Sequence, residues 1–318
     1  MTTDDINKIL EELLTSGDTR ADSIIEDIEK EVISHFKTAL EEIKKQIARM
    51  YEKFGENVDF ADMASYNRLT NLEKQIAQIL KELTGKTHYT MTNRFKDLFK
   101  EKYYYSGYSL ETSVKVKLGF GLLDANKVKA SLINPLDRIS WPERLKLHTQ
   151  TLLNQIKTEI TQGLIQGRGY VKTARILTKK AGITAGKAVR IVRTESHRIQ
   201  NAARIAAFDD SEAAAQRLGI TFERVWIATT DGKTRSDHGA LDGVAAEMID
   251  GSYQWTFPNG IKTRGPGLSG VAEQDINCRC GTIGRVAGLQ GKFRKDNISK
   301  QLIPNQSYEE WSKGLKAT

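Results

Sequence analysis

Cysteine is almost absent from this chain: two of its 318 residues are cysteine, Cys278 and Cys280, with one residue between them. A disulfide across that gap would be strained and no distant partner exists, so a disulfide scaffold is excluded and a reducing compartment fits, the interior of a producing cell. Long apolar runs are missing too. No stretch approaches the ~20 apolar residues that cross a bilayer, so no membrane-spanning segment is expected. Met1-Thr2-Thr3-Asp4-Asp5 offers neither a basic leader nor an apolar core, which predicts no secretory signal. The stretch Gly265-Pro266-Gly267-Leu268-Ser269-Gly270 lacks the lysine of a phosphate-binding loop and opens no helix. It reads as a flexible loop that orders on assembly.

What the chain does have is charge, unevenly spread. Residues 1–50 hold 7 Lys or Arg against 12 Asp or Glu, while residues 151–200 hold 10 against 2. The total is +8. An acidic front and a basic middle orient a protein between unlike partners through the field they create. Double-stranded DNA is the candidate partner for the basic band, through Arg168, Lys179, Lys180, Lys187, Arg190 and Arg198. The plain alternative is a solvated helix face. Hydrophobic residues make up 39%, enough for a real core in two domains or one large one. A mean hydropathy of -0.47 nevertheless assigns much of the chain to solvated helix surface or loop.

Periodicity divides the chain further. Ile25, Ile28, Val32, Phe36, Leu40, Ile43, Ile47 and Met50 recur every three or four residues and define one helix face. After a looser segment from Gly55 to Asp62 the stripe resumes at Leu69, Leu72, Ile76, Ile79 and Leu83, ending near Gly85. Two such helices form an antiparallel hairpin or pack on a partner, and the spacing does not choose. Tyr103, Tyr104, Tyr105 and Tyr108 crowd a segment that is harder to place; core or interface is the preferred reading over base stacking. A helix is expected from Glu143 to Gln166. Next come a short one over Thr173–Lys180, a turn at Ala181-Gly182-Ile183-Thr184, and a longer one from Ala185 to Leu218. That order fits a helix-turn-helix reader only loosely, and a packed helical support is preferred. After Gly219 the period shortens: Ile220–Thr229, Tyr253–Phe257 and Asn277–Val286 read as strands. The fold class is therefore α+β: a helical region over 1–145, a small mixed module over 146–288 and a basic polar tail over 289–318, with a helical turn near Tyr308–Trp311.

Three clusters carry a family likeness. They are Arg193-Thr194-Glu195 with Asn201; Trp226 followed by Asp231, Arg235 and His238; and Asn277-Cys278-Arg279-Cys280. In this order and spacing, residues 150–288 resemble the C-terminal domain of the Mu F-like head morphogenesis, or minor head, proteins of tailed bacteriophages. The resemblance implies a minor structural component made alongside the portal protein and associated with portal, procapsid, capsid or scaffolding proteins. It further implies a place in head assembly, DNA packaging or DNA ejection, located in the virion head interior and in host cytoplasm during assembly. Related modules are joined to toxin domains in bacteria. The stretch after Val286 is too short for one, so no toxin activity is expected.

Chemistry within the clusters leaves alternatives. Arg193 and Glu195 are two apart and face different ways; both are expected to reach the β-rich segment and hold helix to sheet. His197 and Asn201, four apart, align. Asp231 is expected to bond its own turn, and Arg235 to reach Glu195 or Asp237. His238, Cys278 and Cys280, joined by His197 or Asp237, form a donor set chemically suited to zinc. The alternative is two buried thiols behind a hydrogen-bonded His238, with no cofactor. The alternative function is a metal-dependent or thiol enzyme centred on His238, Cys278 and Cys280; a Cys/His hydrolase on Cys278, His238 and Asn277 would need a nucleophile-bearing turn that the sequence does not show, so no enzyme is expected.

Overall fold

A computed structural model of the chain describes residues 2–55, 58–133 and 135–287, the Tyr66 side chain excepted, and the backbone alone of 293–295 and 302–304. Helices dominate the front: α1 (Thr3–Phe54), α2 (Phe60–Ala64), α3 (Arg68–Val114), α4 (Ala125–Leu132), α5 (Trp141–Ile165) and α6 (Tyr170–Arg217). Then follow β1 (Phe222–Ile227), α7 (Ser236–Ala240), β2 (Glu247–Ile249), β3 (Ser252–Thr256), β4 (Lys262–Thr263), α8 (Ala272–Asp275) and β5 (Gly281–Val286). Two further strands, β6 (Phe293–Lys295) and β7 (Leu302–Pro304), pair antiparallel. The rest of the expected tail, including the turn near Tyr308–Trp311, lies outside the described residues. The α+β class is as the sequence reads it.

Two compact units divide the chain. One contains Glu26–Arg94 and Ile139–Arg193 and is wholly helical in its regular structure; the other contains Met1–Ile25, Phe95–Arg138 and Thr194–Thr318. In the helical unit the α1 stripe is covered by the chain itself: Ile28, Val32, Phe36, Ile43, Ile47 and Met50 are at most 6% exposed. Burial of that stripe, at roughly 1.5–3 kcal/mol per large side chain, settles the choice left open by periodicity in favour of self-packing.

Two expected breaks are not there. Gly85 lies inside α3, which runs on to Val114. A glycine costs a helix interior about 1 kcal/mol relative to alanine, less than is gained by burying Met91, Phe95, Leu98 and Phe99 beyond it, each 0% exposed. The turn at Ala181–Thr184 is likewise absent, because α6 is continuous from Tyr170 to Arg217. Ala181, Thr184 and Ala188 are buried and Gly182 and Ile183 exposed, a helical alternation with no interruption. The helix-turn-helix reading falls with that turn.

The second unit holds the strands. β1 pairs antiparallel with β5, Val225 opposite Ile283 and Trp226 opposite Thr282. Its other edge takes the 243–246 segment, through Trp226 N to Val244 O at 3.0 Å and Ala246 N to Arg224 O at 2.8 Å. Successive residues of β1 point to opposite faces. Val225 and Ile227 therefore enter one core with Leu10, Leu14, Leu110, Phe208 and Ile283. Trp226 enters another with Leu241, Trp255, Phe257, Cys278 and Cys280. A meander of β2, β3 and β4 completes the module.

α6 carries the module through polar anchors. Arg204, buried at 2%, bonds the carbonyl of Thr282 on β5, the carbonyl of Leu14 on α1 at 3.2 Å and Asp18 at 2.6 Å. Lys102 on α3 also bonds Asp18, and both side chains are buried. Burial pulls the Arg204 guanidinium down to about 9, so it stays charged at neutral pH, and Asp18 is the carboxylate beside it. Removing one member of such a group strands charge in the interior, at about 3–5 kcal/mol. Asp18→Asn is accordingly expected to lower the unfolding free energy by about 3–5 kcal/mol in urea titrations. Combined with Lys102→Met it should cost less than the two single changes added together. Additive costs would show that the two groups are not coupled.

Candidate functional site

The site is built on the short segment between α8 and β5. Asn277 adopts a left-handed backbone conformation, φ 57°. Among non-glycine residues asparagine tolerates this best, and here it turns the chain out of α8 so that Cys278 and Cys280 point inward. Both cysteines precede β5 instead of lying on it, which corrects the strand expected from Asn277 onward. They are free thiols, 4% and 2% exposed.

α6 grips the same segment. His197 Nε2 lies 2.5 Å from the Cys280 carbonyl, which also accepts from Asn201 Nδ2 at 3.3 Å. The alignment of these two residues one turn apart thus has a purpose: both hold one peptide group. His197 is turned by that bond to the Cys280 backbone and does not join the thiol cluster, which removes it as the expected additional ligand.

His238 enters from α7. Its ring is stacked on Phe257 at 5.1 Å and meets Trp226 edge-on at 5.6 Å. Its Nδ1 is 3.4 Å from Cys280 Sγ and 3.6 Å from Cys278 Sγ. Its Nε2 is 2.9 Å from Gln274 Oε1. Gln274 in turn donates from Nε2 to Asp237 at 3.2 Å, so its amide oxygen faces the imidazole. His238 therefore donates from Nε2 to Gln274 and presents Nδ1 to both sulfurs. Asp237, the other expected ligand, supports this relay and accepts from Asn259 instead of joining the sulfurs. Hydrogen bonding to the Cys280 sulfur and burial push the Cys278 thiol up, while the same bond and His238 draw Cys280 down. Among the described residues, His238, Cys278 and Cys280 are the one group of three or more His, Cys, Asp or Glu side chains placed to share an ion, their ligand atoms all within 4.8 Å of one another.

The remaining cluster residues hold the frame. Asp231 accepts Lys233 N at 3.0 Å within its turn, as expected. It also takes a two-point bond from Arg279, at 2.5 and 2.7 Å, which holds its carboxyl down at about 2. Arg235 goes to the Ile276 carbonyl at 2.6 Å, not to Glu195 or Asp237. Glu195 is fully buried and bonds Arg198 at 2.8 Å, a turn away on its own helix. Arg193 makes a two-point bond to Glu29 on α1, at 2.7 Å each. The expectation that Arg193 and Glu195 tie helix to sheet is thus corrected: charged neighbours were nearer on α1 and α6. The glycine-rich stretch is also fixed. At Gly267, φ 76°, a Cβ would come within 3.3 Å of the Arg198 Cα, and Asp275 accepts from Ser269 and Gly270 at 2.8 Å each.

The basic band separates into two kinds of residue. Arg168 is buried and bonds Glu159 at 3.1 Å, Lys180 pairs with the same carboxylate at 3.3 Å, and Arg198 is the partner of Glu195. Arg168 and Arg198 are internal and do not meet DNA as expected. Lys179, Lys187 and Arg190 are exposed, along with Lys172 and Arg175. Their spacing puts all five on one face of α6.

A helix-borne α+β module with an internal His/Cys centre and one cationic helix face can be compared with known proteins. The family model of Phage Mu protein F like protein matches residues 154–283. Minor head protein GP7 of Bacillus phage SPP1 is 32% identical over 309 residues, 95% of this chain and 97% of that protein. The chain belongs to the phage minor head protein family, and the likeness extends well beyond residues 150–288 into the helical front. NAD(+)--arginine ADP-ribosyltransferase EFV of Enterococcus faecalis is 29% identical over 286 residues, 90% of this chain and 57% of that protein. That match corrects the expectation of no enzyme, since a relative aligned along most of the chain is named for an enzymatic activity. The chain spans little more than half of that relative. No solved structure matches the chain.

Sequence reasoning found the three buried ligand-type residues but missed Gln274 and Asp275, which orient His238 and close the glycine loop. Nothing in their spacing marks them. Asn277 offers a direct check on this geometry. Asn277→Gly should leave stability nearly unchanged, whereas Asn277→Val should cost at least about 1–2 kcal/mol in thermal or urea unfolding, because a β-branched side chain resists the left-handed region. Equal effects from the two substitutions would count against the strained turn.

Proposed function

We propose that this chain is a structural component of a tailed-phage head that docks on the portal or inner capsid during assembly and contacts packaged DNA. The observation that carries the reading is the match to a minor head protein along nearly the whole of both chains. The site agrees in character: its charged residues are spent on internal bonds that fix geometry. The α1 stripe is buried in the chain, so partner contact falls on other surfaces. DNA contact falls on Lys172, Arg175, Lys179, Lys187 and Arg190. Under this reading the protein works in the virion head interior, after assembly in host cytoplasm with portal, capsid and scaffolding proteins.

Two measurements test it. The chain should cosediment with purified portal or procapsid, and failure at every salt concentration ends the docking part. Five cations on phosphates should give a log–log salt slope for duplex DNA binding of about -4 to -5. Lys179→Glu with Lys187→Glu should flatten that slope by about two units. A flat slope in the unaltered protein removes DNA.

The transferase-named relative supports a second, enzymatic reading, because 90% of this chain aligns with it. Incubation of the purified chain with NAD+ and an arginine-rich acceptor should then release nicotinamide above the protein-free blank. Release equal to the blank would count against it.

A further inference from the structure

We propose that His238, Cys278 and Cys280 bind one zinc ion, which pins α7 to the segment between α8 and β5. The separations suit the ion. Zn–S bonds of about 2.3 Å and a Zn–N bond of about 2.0 Å at a tetrahedral angle place sulfur and nitrogen about 3.5 Å apart. The observed Nδ1 to Sγ distances are 3.4 and 3.6 Å. One ring nitrogen faces two sulfurs at nearly the same distance, whereas a single hydrogen bond would engage it with one.

The surroundings agree independently. Gln274 and Asp237 fix the imidazole proton on Nε2 and leave Nδ1 as the ligand atom. Metal-bound histidines are held in this way, their far nitrogen donating into a hydrogen-bonded chain. Charge balance favours the ion as well. Two thiolates, a neutral imidazole and Zn2+ sum to zero, so the centre sits among Trp226, Trp255 and Phe257 without a net buried charge. Binding converts each thiol to thiolate and releases its proton to solvent. The cysteine spacing of one residue, shorter than in common zinc knuckles, is no obstacle here, because the left-handed turn at Asn277 directs both sulfurs to one nitrogen.

The test uses the full chain purified under reducing conditions without chelator. Elemental analysis should give one zinc per chain, and Cys278→Ser and Cys280→Ser should each lose it. Those variants can fail to fold, so two further measurements use intact ligands. Cobalt(II) exchanged into the unaltered chain should show thiolate-to-cobalt charge transfer in the near ultraviolet. Gln274→Ala should weaken zinc affinity by about 10–100-fold while keeping one zinc per chain at saturation. A folded, reduced, metal-free chain that takes up no zinc from excess zinc chloride, with no rise in melting temperature, overturns the proposal.

Discussion

Asp18 on α1 holds the charges of Lys102 and Arg204 in a region that is at most 7% exposed. Arg204 in turn reaches the Thr282 carbonyl, so β5 is tied to α6 and α1 through one guanidinium. The sheets are small, two strands in β1–β5 and three in β2–β3–β4, and one face of β1 packs on Leu10, Leu14, Leu110 and Phe208 of the helices. Helices must supply the missing packing, and the polar anchors set which helix residue meets which strand residue. His197 and Asn201, on the same helix as Arg204, then hold the Cys280 peptide. The position of the thiols follows from α6 as much as from the sheet. A buried charge group of this kind adds little net stability but penalises alternative packings severely.

The helical front was legible because its cause is periodic. Apolar residues every three or four positions make a helix whatever surrounds them, and the α1 stripe reads straight from sequence. Where it ends was less legible. Gly85 and Gly182 look like stops because glycine disfavours a helix locally, yet burial on either side outweighs a cost of about 1 kcal/mol. β1, β3 and β5 were legible from the change of period after Gly219, β5 with its start set too early at Asn277, whereas the short β2 and β4 were not. Charged pairing was not: Asp18, Lys102 and Arg204 lie 84 and 186 residues from their partners, and an internal charge has the same letter as a solvated one. Arg168 and Arg198 show the same difficulty in reverse, since a band of positive charge in sequence was partly internal in space.

At the His/Cys centre the ligand types were legible and the geometry was not. Cysteine is so sparse that a pair beside a distant histidine stands out. Which nitrogen of His238 faces the sulfurs depends on Gln274, thirty-six residues away, and on Asp237 beyond it. Neither is distinguished by spacing. The same holds for Asp275, whose carboxylate fixes a loop that composition alone would leave flexible.

The two relatives constrain where specificity resides. One is named a minor head protein and the other an arginine ADP-ribosyltransferase, and each aligns with at least 90% of this chain. The chain spans 57% of the transferase-named relative, so the match does not by itself carry that relative's named activity to this chain. Asp231–Arg279, Glu195–Arg198 and the Asp18 group act on the shape of this chain. Contact with a partner falls to surfaces those bonds leave open. The cationic face of α6 is one such surface, since its five basic residues, Lys172, Arg175, Lys179, Lys187 and Arg190, are exposed.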